Sequence, residues 1–237
     1  MLIGLSLGLL GGGGSILAVP ILVYVARLDV HTAIGMSLAI VGATALVGAL
    51  AQARAGRVSL RAALSFGVAG MLSAPLGARG THLVPGRTLL VLFAALMVVV
   101  GGLMLRPRAD TTGRSAAFAA TAAAGCAVGL LTGFLGVGGG FLIVPALTLL
   151  TGLPIRTAIG TSLLVIAMNS ASGLLGHLQQ GALPAGPTAA FTAAAAVGAL
   201  AGIQLGAGLD AERLRRAFAV FVIAVGLLLL ARNGLGG

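Results

Sequence analysis

Shifted by 125 residues, this sequence aligns with itself without a gap. Gly11-Gly12-Gly13-Gly14 falls on Gly136-Val137-Gly138-Gly139, Val19-Pro20 on Val144-Pro145, Thr32-Ala33-Ile34-Gly35 on Thr157-Ala158-Ile159-Gly160, and Ser37-Leu38 on Ser162-Leu163. Further on, Gly56 meets Gly181, Gly77 meets Gly202, Phe93-Ala94 meets Phe218-Ala219 and Gly101 meets Gly226. A chain rich in Ala, Gly and Leu matches itself often by chance, but not gaplessly with both prolines and both glycine clusters in register. Two copies of one unit are therefore expected, at 1–112 and 113–237. The register also shows that Gly11–Ser15, which spells a flexible linker, is native, because Gly136–Gly140 repeats it.

The solvent for this unit is lipid. Hydrophobic residues make up 59% of the chain and charged residues 8%, against roughly 25% charged in a soluble domain, and the mean hydropathy is +1.15. Several charge-free apolar runs reach about 20 residues, enough to cross a hydrocarbon core of about 30 Å. The expected fold is an all-α, polytopic membrane protein. A net charge of +10 invites a nucleic-acid partner, but every basic residue is Arg, set singly or in threes between apolar runs. With one Tyr and no Trp there is no platform for stacking bases, so no nucleic-acid partner is expected. The arginines read as topology signals.

The lone Cys126 excludes an internal disulfide and a thiolate metal site, and it reads as a small apolar residue. No nucleophile–base pair or ligand cluster appears, so neither enzymatic activity nor a cofactor or metal is expected. The start carries no basic segment followed by a small-residue cleavage site, so no signal peptide is expected.

Each copy reads as a helix, a glycine-broken short helix and three further helices: 1–10, 14–26, 32–53, 60–79 and 88–105, then 115–135, 138–151, 157–178, 186–208 and 213–232. The first helix is short beside its copy, because Met1 aligns with Cys126, which suggests a shortened N-terminus. About fourteen helical residues at 138–151 rise about 21 Å, and three extended glycines add about 10 Å, so the short helix with its break just reaches across. The alternative is a re-entrant dip. Crossing makes the copies inverted and puts Arg54, Arg57, Arg61, Arg106, Arg108, Arg114, Arg156, Arg213, Arg215 and Arg216 on one side, with Arg27, Arg79, Arg87 and Arg232 opposite. A dip makes the copies parallel and divides the arginines evenly. The positive-inside tendency favours two inverted repeats of about five helical segments each.

The stretch Gly-Leu-Leu-Thr-Gly-Phe-Leu-Gly-Val-Gly-Gly-Gly-Phe-Leu-Ile-Val-Pro (129–145), followed by Thr-Ala-Ile-Gly-Thr-Ser-Leu (157–163), resembles the sulfite exporter TauE/SafE family. The degenerate copy at 4–20 and 32–38 resembles that family's first repeat, and the likeness covers essentially the whole chain. The resemblance implies a multi-pass protein of the bacterial plasma (inner) membrane that exports, or in some members takes up, sulfite or related organosulfur anions. Two departures stand out: the short N-terminus, and Gly-Met-Ser (35–37) where the second copy has Gly-Thr-Ser (160–162).

All four carboxylates, Asp29, Asp110, Asp210 and Glu212, fall in expected loops, and no Arg falls inside a span. Intramembrane ionisable groups mark cation and proton pathways, so a carboxylate-based cation carrier is disfavoured. An anion needs positive potential without a full charge, and a broken helix supplies it. Free backbone N–H groups and the macrodipole place roughly half a positive charge at a helix N-terminus. Gly13, Gly14 and Ser15 begin one such end, and Gly138, Gly139 and Gly140 the other. Inverted repeats bring the two together near the midplane, where transporter sites lie. Such glycines also let helices pack closely, the better reading for Gly4, Gly8, Gly129 and Gly133.

Pro20 and Pro145 read as helix breaks or kinks. Ser37, Thr161 and Ser162 offer hydroxyls to an oxyanion, although hydroxyls in spans also bond to the preceding turn. Asn169, aligned with Thr44, is a further candidate for substrate contact or for interhelical glue. His177, aligned with Gln52, is a candidate proton relay or a solvated interfacial residue. The sequence leaves three functions open: an alternating-access transporter of a small anion, a passive anion channel, and a non-transporting membrane subunit of a sulfur-metabolism system. Oligomeric state is not legible.

Overall fold

A computed structural model describes residues 1–22, 27, 30–81, 86–105, 118–135, 140–178 and 184–234. Within them the chain is all-helical. Ten helices run in order: α1 Leu2–Leu10, α2 Gly13–Pro20, α3 Val30–Arg54, α4 Leu60–Thr81, α5 Gly86–Leu105, α6 Phe118–Leu135, α7 Gly140–Leu149, α8 Ile155–Leu178, α9 Ala185–Ala207 and α10 Ala211–Gly234. Lipid offers no hydrogen-bond partner, so a crossing segment must satisfy its backbone internally, which a helix does. Four segments are long and apolar enough to cross on their own: Gly35–Arg54, Ile155–Leu174, Ala185–Ala207 and Ala211–Ala231. Large apolar side chains stand outward, among them Leu64, Leu72 and Leu76 of α4 and Val220, Leu227 and Leu228 of α10. In water such a surface would be an aggregation hazard; in a bilayer it is the lipid contact.

Of the two short helices, α2 covers Gly13–Pro20, and α7 covers Gly140–Leu149 with Pro145 inside it; 23–26 and 138–139, expected to extend them, lie outside the described residues. α1 stops at Gly11, whose φ of +76° a side-chain-bearing residue rarely adopts. Gly152 closes the region after α7 with a φ of +72°, and its copy in the first half, Arg27, also has a left-handed φ of +56°. The backbone conformation is thus retained where the glycine is not.

Packing follows the repeat residue by residue. A Cβ on Gly4 would overlap the Ala195 carbonyl, and one on Gly8 the Ala199 carbonyl, so α1 and α9 lie backbone against backbone and run the same way. The copied pair does likewise: Gly125 abuts Phe66 and Gly129 abuts Gly70 and Ser73, so α6 runs parallel to α4. Where Gly198 sits on the Met1 carbonyl, the corresponding Ser73 donates its hydroxyl to the Cys126 carbonyl at 2.9 Å. These are small-residue seams, the means by which helices associate without a hydrophobic drive.

Equivalent helices meet head to tail. Gly42 packs on Ser170, Gly48 on Leu163 and Gly173 on Leu38, so α3 and α8 are antiparallel. α5 and α10 are antiparallel too, since Gly101 meets Ala219 and Ile223 while Gly226 meets Ala94 and Val98. α8 runs parallel to α4, with Gly160 beside Arg57 and Gly67 beside Val165 and Met168. α3 likewise runs parallel to α9, its Met36 and Ile40 clustering with Phe191 and Ala195 and its Gly48 lying near Ile203. The core is filled by Leu7, Phe66, Met97, Phe141, Ile159, Leu163 and Phe218, with Phe93 edge-on to Phe141 at 5.0 Å.

The seams give a sharp expectation. Gly129→Val forces a branched side chain into the α4 backbone and should cost about 2–3 kcal/mol. Gly102→Ala, where an added Cβ meets nothing within 4 Å, should be neutral or slightly stabilising. Thermal unfolding in detergent, followed by size-exclusion profile, separates the two; equal melting points would remove the seam as a source of stability.

Candidate functional site

The two glycine breaks come together. A Cβ on Gly12 would overlap the Gly140 carbonyl, and a Cβ on Gly140 would overlap the Ser15 hydroxyl. Gly14 is buried against Ile3 and Leu7, so the chain after Gly11 doubles back along α1 before α2 begins. Gly13 lies against the Phe221 ring. The N-terminus of α2 and that of α7 thus meet backbone to backbone, with Gly12, Gly13, Gly14 and Gly140 all buried. The Gly11 and Gly12 N–H groups are themselves paired, with the Leu7 and Leu10 carbonyls at 2.8 and 2.9 Å. Gly138 and Gly139 lie outside the described residues, as do the side chains of Pro20 and His177.

The hydroxyls divide into two groups. Ser15 Oγ donates to the Gly12 carbonyl at 2.8 Å, and Ser162 Oγ donates to the Ile159 carbonyl at 2.8 Å. Ser162 stands beside the first break, since a Cβ on Gly11 would lie 2.7 Å from its Oγ. Ser37, its copy on α3, is buried. Thr161 is turned elsewhere: its Oγ1 accepts the Ser59 backbone N–H at 3.0 Å, just before α4. The position equivalent to Ser59 is Pro184, which has no N–H to satisfy, and the position equivalent to Thr161 is Met36. The Thr-for-Met departure between the copies therefore follows an available N–H.

Asn169 is separate from the breaks. It lies mid-way along α8, next to the Gly42–Ser170 contact with α3. Its Oδ1 has no hydrogen-bond partner, and neither does Oγ1 of Thr44, its fully buried copy on α3. A lone buried acceptor costs about 1–3 kcal/mol, so two of them at equivalent places on an antiparallel helix pair form a polar spot within the apolar crossing. The repeat alignment already paired Thr44 with Asn169 but gave no sign that both would be left unpartnered.

Electrostatics around the breaks are free of described carboxylates. Asp210 and Glu212 sit at the start of α10, tied to Arg213 at 3.5 Å and to Arg215 and Arg216 at 2.7 and 2.9 Å. Asp29 and Asp110 lie outside the described residues. Among the described residues no group of His, Cys, Asp and Glu could hold a metal ion. Gln52, Arg57 and Arg156, legible in sequence only as a repeat partner and two topology charges, line one cleft.

Sequence comparison supplies the family of this apolar helical chain. The model of the family described as "Sulfite exporter TauE/SafE" matches residues 1–229. The chain belongs to the TauE/SafE family. It is 38% identical over 241 residues to a protein of Xylella fastidiosa (strain 9a5c) described as "Probable membrane transporter protein", covering 98% of this chain and 92% of that one. It is 28% identical over 249 residues to the Bacillus subtilis "Probable membrane transporter protein YunE", covering 94% and 89%. No solved structure matches it. TauE/SafE is a family of multi-pass membrane transporters rather than of enzymes.

Within this family member, Thr161→Val should strand the Ser59 N–H and lower stability by about 1–3 kcal/mol. Thr161→Ser should restore most of it. Melting temperatures of the three proteins in detergent decide the point; an unaffected Thr161→Val would show that the bond contributes nothing.

Proposed function

We propose that this protein is a secondary transporter of a small anion, working by alternating access, with sulfite or an organosulfonate as cargo and export as its direction. The observation that carries the proposal is the contact between the two glycine-broken helix starts, Gly12 and Ser15 against Gly140. Two positive helix ends facing one region favour a negative solute without a buried cation. Ser15 and Ser162 stand beside that region, and Ser37, Gly13, Gly14, Gly138, Gly139, Thr161 and Asn169 complete the set carried from the sequence. Membership of a family described as sulfite exporters supports the cargo class.

The halves, 1–112 and 113–237, act as inverted repeats. Three packing facts support this. α1 and α3 each run parallel to α9, so the stretch between them, which includes α2, returns the chain; α6 and α8 each run parallel to α4, so α7's stretch does the same. Each half then has five passes, an odd number. The equivalent helices α3 and α8, and α5 and α10, are antiparallel, as a two-fold axis lying in the membrane plane requires. Arg57, Arg61, Arg156 and Arg213 share one end of the bundle with the loops at 55–59, 150–154 and 208–210. The positive-inside tendency makes this the cytoplasmic face of a bacterial plasma membrane.

Two measurements test the reading. In a Cys126→Ser background, single cysteines at Gly56 and Gly186, both open to solvent with nothing near an added Cβ, should react with an impermeant thiol reagent from opposite faces of the membrane. Labelling from one face would end the inverted arrangement. In sealed proteoliposomes, labelled sulfite should show saturable flux with counter-transport, lost in Gly140→Val although that protein still reaches the membrane. Non-saturating conductance would indicate a channel, and absence of flux across a panel of sulfur oxyanions would indicate a non-transporting subunit.

A further inference from the structure

We infer that the arginine-rich end carries a second, peripheral anion site, formed by Arg57, Arg156 and Gln52, that collects a small oxyanion before it reaches the helix breaks. The inference deepens the transporter reading and rests on it for direction, although not for the existence of the site. The three residues line one narrow cleft together with Gly8, Ile159 and Leu214. Ile159 belongs both to this cleft and to the first break, because its Cα lies 3.0 Å from a Cβ built on Gly11. The cleft is therefore one residue layer below the break.

Its chemistry is specific. Gln52 is 5% exposed, and its Oε1 has no hydrogen-bond partner. A buried amide left unpaired is costly, and a half-turn about its last torsion presents either its oxygen or its NH2 to the cleft. Arg156 is half-buried and fixed: its guanidinium donates to the Ala207 carbonyl at 3.4 Å and to the Leu209 carbonyl, at the end of α9. Those two bonds use only part of a five-donor fork. Arg57 is half-buried as well, and no described carboxylate pairs with it. The nearby carboxylates, Asp210 and Glu212, are held by arginines of α10. The cleft has about 10 Å³ of free space, room for one water-sized group, so an oxyanion shared between the two guanidinium groups and the swivelling amide requires the half-buried Arg57 side chain to swing outward.

The other half has no such pair. The 125-residue shift replaces Gln52 with His177, Arg57 with Ala182 and Arg156 with His31. Two fixed positive charges therefore belong to one end only. The built site recruits anions from that side.

The test compares wild type, Arg57→Gln and Arg57→Lys, reading both equilibrium binding of sulfite to the detergent-solubilised protein by titration calorimetry and sulfite flux in proteoliposomes. Arg57 makes no described hydrogen bond through its side chain, so its replacement should leave the melting temperature unchanged. Arg57→Gln should weaken sulfite binding and raise the half-saturating concentration about tenfold, with the maximal rate preserved. Arg57→Lys should recover most of the loss, and the difference should shrink as ionic strength rises. Sulfite binding and half-saturation that are the same in all three proteins would overturn the site while leaving the transporter reading intact. Absence of flux in wild type, with binding that still depends on Arg57, would sink the transporter reading and keep the site. No sulfite binding to wild type would overturn the site.

Discussion

Lipid offers no partner to a backbone group freed where a helix starts or stops, so close backbone packing at the starts of α2 and α7 matters: Gly12 sits on Gly140, and Gly140 on Ser15. A side chain at Gly12 or Gly140 would hold the backbones apart. The remaining architecture serves that contact. The glycine seams between α1 and α9 and between α4 and α6 bring backbones close enough to hold α1 and α6, the helices leading into the breaks, against the opposite half. Since lipid gives apolar side chains no reason to associate, the packing gained at these seams is the available source of cohesion.

The two halves share a frame but not its ends. Seam contacts copy across almost residue for residue, down to Gly198 on Met1 and Ser73 on Cys126. Side chains at the loop ends of α3 and α8 copy less well. Thr161 holds Ser59, whereas the equivalent positions are Met36 and Pro184, and the guanidinium pair has histidine and alanine as counterparts. This division has a physical logic. On the proposed alternating-access reading, a carrier needs two states at comparable free energy, which a shared frame would provide. Differences confined to the ends then bias which face binds cargo better, without disturbing the frame that exchanges.

Element order and bounds were legible because lipid removes the usual ambiguity between helix and strand, leaving apolar run lengths and glycine interruptions to mark the ends. The expectation for 157–178 against an observed Ile155–Leu178 is typical. The interruption between α1 and α2 was legible as well, at Gly11 and Gly12, while 136–139, where its copy is expected, lie outside the described residues. What the sequence concealed was the fate of individual polar atoms. Ser15, Ser162 and Thr148 all turn back to carbonyls of their own helix, the default for a hydroxyl in a span. Thr161, one residue from Ser162, reaches across the chain instead, because a free N–H happens to lie opposite. Thr44, Asn169 and Gln52 are left without partners, and nothing local in sequence distinguishes them from hydroxyls and amides that are paired.

The arginines show how one residue type serves two ends. A topology signal needs only to stay out of the hydrocarbon, and Arg54, Arg61 and Arg213 do so by full exposure. Arg57 and Arg156 are half-buried, and burying part of a guanidinium costs desolvation that exposure would avoid. Arg156 recovers that cost from the carbonyls at the end of α9, where the helix dipole is also negative. Arg57 has no such described compensation, and it stands beside an amide that lacks a partner too. The Gln52 oxygen is the buried group without a partner there, while the half-buried Arg57 keeps contact with water; an oxyanion shared between them, as proposed, would draw on the charge of the one and the free amide of the other.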